Sequence, residues 1–302
     1  MKTSIVFIWL TALTGCVDSY EVELPSESAR IVIDALVSDV PGETYINIGW
    51  SMAVNGTCKN QFGGSVKCEP VTSTGPYKVK GTVTLKENQG QRKVQLPLLM
   101  DDKEGMIELK SDFTGNPGNT YDLEVDIEYD GVREFYSSTA TMAATPVITD
   151  ITYEIRNGDV GKDDNFVPLI SFTEPNGENF YLFQLCWLEG TRVYCENGRA
   201  WTYSIIADTF LPAQVVDLSV DDGASVAKYS EFFPRVAPGS GARVRMFSVD
   251  KTTYFFYKAL IDQFNNDGGA YSPTPAMPEG NISGGGIGIF RAVQESSADV
   301  YY

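Results

Sequence analysis

Tyr121-Asp122-Leu123-Glu124-Val125-Asp126-Ile127-Glu128-Tyr129-Asp130 alternates without exception, its odd positions apolar and its even positions acidic. A period of two puts the odd side chains on one face of an extended chain and the even ones on the other. The segment is therefore a β-strand with one buried and one wet side. Asp130-Gly131 follows as a hairpin turn, and 132–141 returns as the partner strand. Glu134 shares the apolar face of that partner, which predicts a bulge or a frayed edge. The acidic row reads either as a cation-binding face or as a solvated face that blunts aggregation.

Immediately upstream, Pro117-Gly118-Asn119-Thr120-Tyr121 resembles the turn and tyrosine that open a late strand in immunoglobulin-like and fibronectin-type sandwiches. Further strands are predicted at 30–37, 44–50, 78–86, 93–99 and 106–110, separated by turn residues. Residues 30–145 thus read as an Ig-like β-sandwich. Ala144-Thr145-Pro146 marks a boundary, and 146–302 reads as a second β-rich domain. Its strands are expected at 147–156, 168–173, 180–188, 192–195, 201–206, 215–220, 243–248 and 287–293. A single helix over 250–267 interrupts them: Asp250 caps it, Tyr254, Tyr257, Ile261 and Phe264 give it an apolar stripe, and Asn265-Asn266-Asp267-Gly268 ends it. The fold class is mainly β. Gly284-Gly285-Gly286-Ile287-Gly288 precedes a strand and not a helix, so it suits a tight strand entry and not a phosphate cradle.

Five cysteines are present. Cys186 and Cys195 flank a segment in which Gly190-Thr191 fits a two-residue turn. That turn sets Glu189 against Arg192, Leu188 against Val193, Trp187 against Tyr194 and Cys186 against Cys195. Cys58 and Cys68 repeat the pattern around Phe62-Gly63-Gly64. Disulfides 58–68 and 186–195 are expected, and the absence of histidine and of Cys-x-x-Cys weighs against a metal site.

The fifth, Cys16, closes a different motif. Lys2, the apolar run 4–13 and Leu13-Thr14-Gly15-Cys16 have the layout of a secretory signal peptide over 1–15 whose end resembles a bacterial lipobox. Ten helical residues rise about 15 Å, half of a bilayer's hydrocarbon, so the run does not span. Cys16 is expected to carry acyl chains that hold the protein to the lipid bilayer; a plain secretory signal is the competing reading. Residues 16–29 form a flexible tether. Its acidic residues resemble the surface-export signal of some Gram-negative bacteria, although a solvated tail has the same composition.

The chain carries 23 basic and 40 acidic side chains, a net −17, and no histidine. Such charge repels phosphate backbones, so nucleic acid is excluded as a partner. Without histidine there is no Ser-His-Asp or Cys-His nucleophile system. Carboxylate chemistry survives that exclusion, yet the chain reads as non-catalytic, with no cofactor and no metal. Asp159, Asp163, Asp164 and Asn165 form an acidic loop without the spacing of an EF-hand. Exposed aromatics are the natural contact groups, and Trp187, Tyr194 and Tyr271 are the candidates.

Four features together resemble a domain-of-unknown-function family of outer-membrane lipoproteins encoded beside TonB-dependent receptors. They are the lipobox, the opening strand Arg30-Ile31-Val32-Ile33-Asp34-Ala35-Leu36-Val37, the helix before the proline loop, and Gly280-Asn281-Ile282-Ser283-Gly284-Gly285-Gly286-Ile287-Gly288-Ile289-Phe290. The resemblance implies a two-part β architecture and a TonB-dependent receptor as partner, and transfers no catalytic residue. The expectation is a lipid-anchored, surface-exposed outer-membrane protein acting as a non-catalytic accessory of such a receptor. A pilin- or adhesin-like structural lipoprotein and a carboxylate-based glycan hydrolase are the alternatives.

Overall fold

The computed structural model describes residues 21–23, 30–51, 57–61, 65–68, 78–100, 106–156, 165–195, 203–220, 239–265 and 278–302. The first strands are β1 (Glu21–Glu23), β2 (Ile31–Ser38), β3 (Thr44–Trp50), β4 (Thr57–Gln61) and β5 (Ser65–Cys68). Next come β6 (Val79–Glu87), β7 (Arg92–Met100), β8 (Met106–Ser111), β9 (Thr120–Tyr129) and β10 (Val132–Thr141). Then follow β11 (Ile148–Arg156), β12 (Asn165–Thr173), β13 (Phe180–Glu189), β14 (Arg192–Tyr194) and β15 (Tyr203–Ala207). The chain closes with β16 (Gln214–Ser219), β17 (Ser240–Val249), helix α1 (Lys251–Asn265), β18 (Ile287–Val293) and β19 (Glu295–Tyr301).

The chain divides into two compact units, 1–28 with 52–73 and 29–51 with 74–302. Within the smaller, β1, β4 and β5 form an antiparallel sheet whose register sets Cys58 opposite Cys68, the opposition a 58–68 bridge requires. The loop Phe62-Gly63-Gly64 lies outside the described residues.

In the larger unit, the sheet β10-β9-β6-β7 faces the sheet β18-β2-β3-β8 across a core that includes Ile33, Ile46, Val83, Leu123, Val125 and Phe290. The sheet β14-β13-β17-β19, with β15 also on β13, faces β11-β12-β16 across Phe172, Tyr181, Phe183 and Val244. A third core lies between the two sandwiches. There Leu36 and Ile289 from the first meet Leu182 and Phe247 from the second, together with Tyr257 and Ile261 of α1. Being covered on both sides explains why β2 and β13 are nearly continuous apolar runs while β9 alternates. Asp250 caps α1 as expected, its carboxylate accepting from the Thr253 N–H at 2.7 Å.

One strand departs from the order in sequence. Residues 287–293, expected in the second β series, form β18 and pair in parallel with β2 of the first sandwich. A single residue, Gln294, then leads into β19, an unpredicted strand that pairs antiparallel with β17 of the second. The crossing is stitched to the boundary segment: the Thr145 N–H donates to Gln294 Oε1 at 2.9 Å, and the Thr145 hydroxyl to the Gln294 carbonyl at 2.7 Å. Asn281 brackets the outer edge of β18. Its Nδ2 donates to the Phe290 carbonyl at 2.7 Å and its Oδ1 accepts the Phe290 N–H at 2.8 Å, so one side chain replaces a ladder rung.

The expected bulge at Glu134 does not form; β9 and β10 stay in continuous register. Two phenols make the bulge unnecessary, because Tyr129 donates to Glu134 Oε2 at 2.7 Å and Tyr136 donates to the same oxygen. The acidic row of β9 is a matched ladder: Glu124 pairs with Lys86 at 2.5 Å, Asp126 with Arg133 and Glu128 with Lys80 at 2.8 Å, while Asp122 accepts from the Thr139 hydroxyl at 2.7 Å. Every acid on that face has a partner.

Tyr121 forms a tyrosine corner, its hydroxyl accepting the Asn116 N–H at 2.6 Å and donating to Glu87 Oε1 at 2.9 Å. Burial pushes the Glu87 carboxyl up, but bonds from Asn119, Tyr121 and Asn116 and the charge of Arg92 outweigh it and hold the group below its ordinary value. A lowered carboxyl contributes stability above its unfolded pKa, about 4.3, and loses it as pH falls through the folded one. Tyr121→Phe is therefore expected to cost about 1–2 kcal/mol at neutral pH, with the gap to the parent narrowing in acid. Urea midpoints at pH 7 and pH 3 check this; an unchanged gap would assign the whole cost to the Asn116 bond.

Candidate functional site

The hairpin β13–β14 has the register read from the sequence. Trp187 opposes Tyr194, Leu188 opposes Val193, Glu189 opposes Arg192, and Gly190 takes φ +60° at the first turn position. Cys186 and Cys195 are joined, with Cα atoms 4.5 Å apart. Behind this staple the neighbouring rung carries a two-pronged ion pair, Arg243 to Asp299 at 2.7 and 2.9 Å. The tip is thus held from two directions. It presents Tyr194 and Val193, 47% and 41% exposed, while Trp187 is half-buried.

Tyr153, Tyr301 and Tyr302 are further exposed aromatics of the second sandwich that sequence reasoning did not single out. Tyr153 stacks on Phe166 at 4.7 Å and meets Tyr302 edge-on at 6.0 Å. No alternation marked β19, because its inward residues Ser296, Ala298 and Val300 are mostly small. Tyr271, Cys16 and the acidic residues Asp159, Asp163 and Asp164 lie outside the described residues. Among the described residues no group of three or more potential metal ligands gathers.

We predict that Cys186→Ala with Cys195→Ala costs about 2–3 kcal/mol, the chain-entropy value for so short a loop. Urea unfolding measures that loss, and hydrogen exchange should quicken over 187–194 while β9 stays protected.

A second feature lies between the sandwiches, a cleft of about 150 Å³. Its walls are the outer face of β18-β2-β3-β8 and the facing side of β13 and β17. Two buried arginines, one from β18 and one from β17, sit in it. Arg291, 3% exposed, donates to Asp34 at 2.5 Å and to the Tyr45 hydroxyl at 2.6 Å, and lies over the rings of Tyr45 and Tyr257. Arg245, also buried, donates to Glu295 at 2.8 Å and Gln184 at 3.0 Å and pairs with Glu43. Burial works against both charges, but the carboxylates outweigh it, so both guanidinium pKa values stand above the ordinary range. Burial also raises the Tyr45 phenol, with Arg291 opposing and Asp34 assisting, so it stays protonated. Glu43 reaches from the β2–β3 turn across to β17, so the Arg245 cluster ties one sandwich to the other. Asn47 Oδ1 is buried in the same cleft without a hydrogen-bond partner among the described residues.

A family model described as a domain of unknown function, DUF4249, matches residues 17–299. No curated protein matches. Among solved structures the chain is similar to the chicken CNTN1 FN1-FN3 domains, with 10% identity and a TM-score of 0.24. That match covers 72% of this chain and spans 63% of the other, under two thirds of its length.

Proposed function

The chain belongs to the DUF4249 family, and we propose that it is a non-catalytic, lipid-anchored accessory of a TonB-dependent receptor. Cys16 carries the acyl chains, the outer membrane is the site of attachment, and the folded part faces the cell surface. The observation that carries this reading is the contrast between its polar and its apolar exposed groups. The buried arginines and three of the four β9 acids are committed to internal ion pairs, and the fourth, Asp122, accepts from Thr139. The stapled hairpin instead holds Tyr194 and Val193 outward on a braced frame, and a preordered aromatic tip loses little freedom on docking.

The test is affinity capture of the tagged full-length protein from detergent-solubilised outer membranes, set beside a Tyr194→Asp variant. A β-barrel receptor recovered with the parent and lost with the variant supports the reading. Equal recovery with both moves docking away from the hairpin, and no barrel with either overturns the partnership. Cys16→Ser should shift the protein from the membrane to the soluble fraction; retention in the membrane overturns the anchor.

A further inference from the structure

We propose that the cleft between the two sandwiches is a binding site for a neutral, hydroxylated six-membered ring of monosaccharide size. A cavity of about 150 Å³ is the size that accepts a benzene ring when its lining is wholly apolar. Here the lining is mixed. Leu36, Phe247 and Val293 offer an apolar wall to the C–H face of a ring. Asn47, Glu43 and Tyr203 bring polar groups to the same space.

Asn47 sets the demand. Its Oδ1 is buried with no hydrogen-bond partner among the described residues, a costly state for an acceptor unless something that enters the cleft donates to it. Glu43 uses one carboxylate oxygen, Oε2, on Arg245. Its other oxygen is a second acceptor at the same wall, and the Asn47 amide nitrogen and Tyr203 phenol add donors. Hydroxyl groups, which donate and accept at one atom, suit such a mixed set.

Charge selects against ionic ligands. Both guanidinium groups are already answered by Asp34, Glu43 and Glu295, and Lys110 on the same wall by Glu108 at 3.3 Å, so an anion gains no unpaired cation and meets carboxylates beside each arginine. A cation meets the reverse. The neutral ring is what remains, and two-sandwich junctions are common places for such sites. Binding at the cleft needs no receptor, so it stands or falls apart from the docking reading.

The experiment is saturation-transfer difference NMR on the full-length protein in detergent, with D-glucose and D-galactose as probes and D-glucuronate and D-glucosamine as charged comparators. Saturation transfer to a neutral hexose, weakened roughly tenfold by Asn47→Leu, is the expected result. Asn47→Leu removes a buried unmet acceptor, so its melting temperature should not fall, and loss of signal then reports on the site. Absence of transfer to both hexoses at millimolar concentration leaves water alone in the cleft and overturns the proposal. So does preference for a charged comparator, and so does hexose binding that Asn47→Leu leaves unchanged.

Discussion

Asp34→Leu is expected to lower stability by about 3–5 kcal/mol, the usual result of stripping a buried charge of its partner. Arg291 is 3% exposed and cannot shed its proton to escape the low-dielectric interior. Asp34 is its only carboxylate among the described ion pairs, at 2.5 Å, and the Tyr45 hydroxyl is a neutral second partner. With Asp34 gone, the guanidinium keeps its two aromatic neighbours, which return about 0.5–2 kcal/mol of cation–π attraction and no more. Replacing both residues, Asp34→Leu with Arg291→Met, should recover most of the loss, since an apolar pair of similar volume asks for no compensation. Urea unfolding of the two variants checks both halves. A single substitution that costs under about 1 kcal/mol would show that water reaches the guanidinium and that the pair is not needed.

The same arginine illustrates what could be seen in advance. Ile289-Phe290-Arg291-Ala292-Val293 and Val244-Arg245-Met246-Phe247 each set one charge inside an apolar run. A strand so apolar is covered on both faces, and a charge there must be paired. The sequence reading did not single out either arginine, although that signal was there to use, and it could not have named Asp34, Glu43 or Glu295 as their partners. Those lie in distant parts of the chain, and only the fold brings them together. Strands with one wet face were the easy cases: alternation placed β9, the Asp130-Gly131 turn placed β10 beside it, and paired residues around Gly190 set the hairpin register. Glu134 misled because a period-two pattern registers a carboxylate on the inner face and cannot register two phenols positioned to hold it. β19 was missed for the converse reason, having too little hydrophobic contrast between its faces to stand out. Nor does local sequence announce a parallel partner for β2 more than two hundred residues away.

That distant pairing makes Gly288 the second sensitive position, and Gly288→Ala is expected to cost roughly 3–6 kcal/mol. The residue sits at φ +119°, where a side chain adds strain of about 1–3 kcal/mol. It also passes so close to β2 that a Cβ would lie 1.9 Å from the Ile33 carbonyl oxygen. No rotamer relieves a collision between a Cβ and a backbone oxygen; the strand has to move. β18 supplies Phe290 to the first core and Ile289 to the core between the sandwiches, and it leads through Gln294 into β19. Displacing it therefore loosens both sandwiches at once, and the loss should appear as one cooperative shift in urea midpoint. Gly285 separates the two causes. It also has a positive φ, +85°, but nothing lies within 4 Å of its would-be Cβ. Gly285→Ala should then cost only about 1–2 kcal/mol, the strain alone. Equal losses at the two positions would falsify the close-approach account and leave backbone conformation as the whole reason for the glycines.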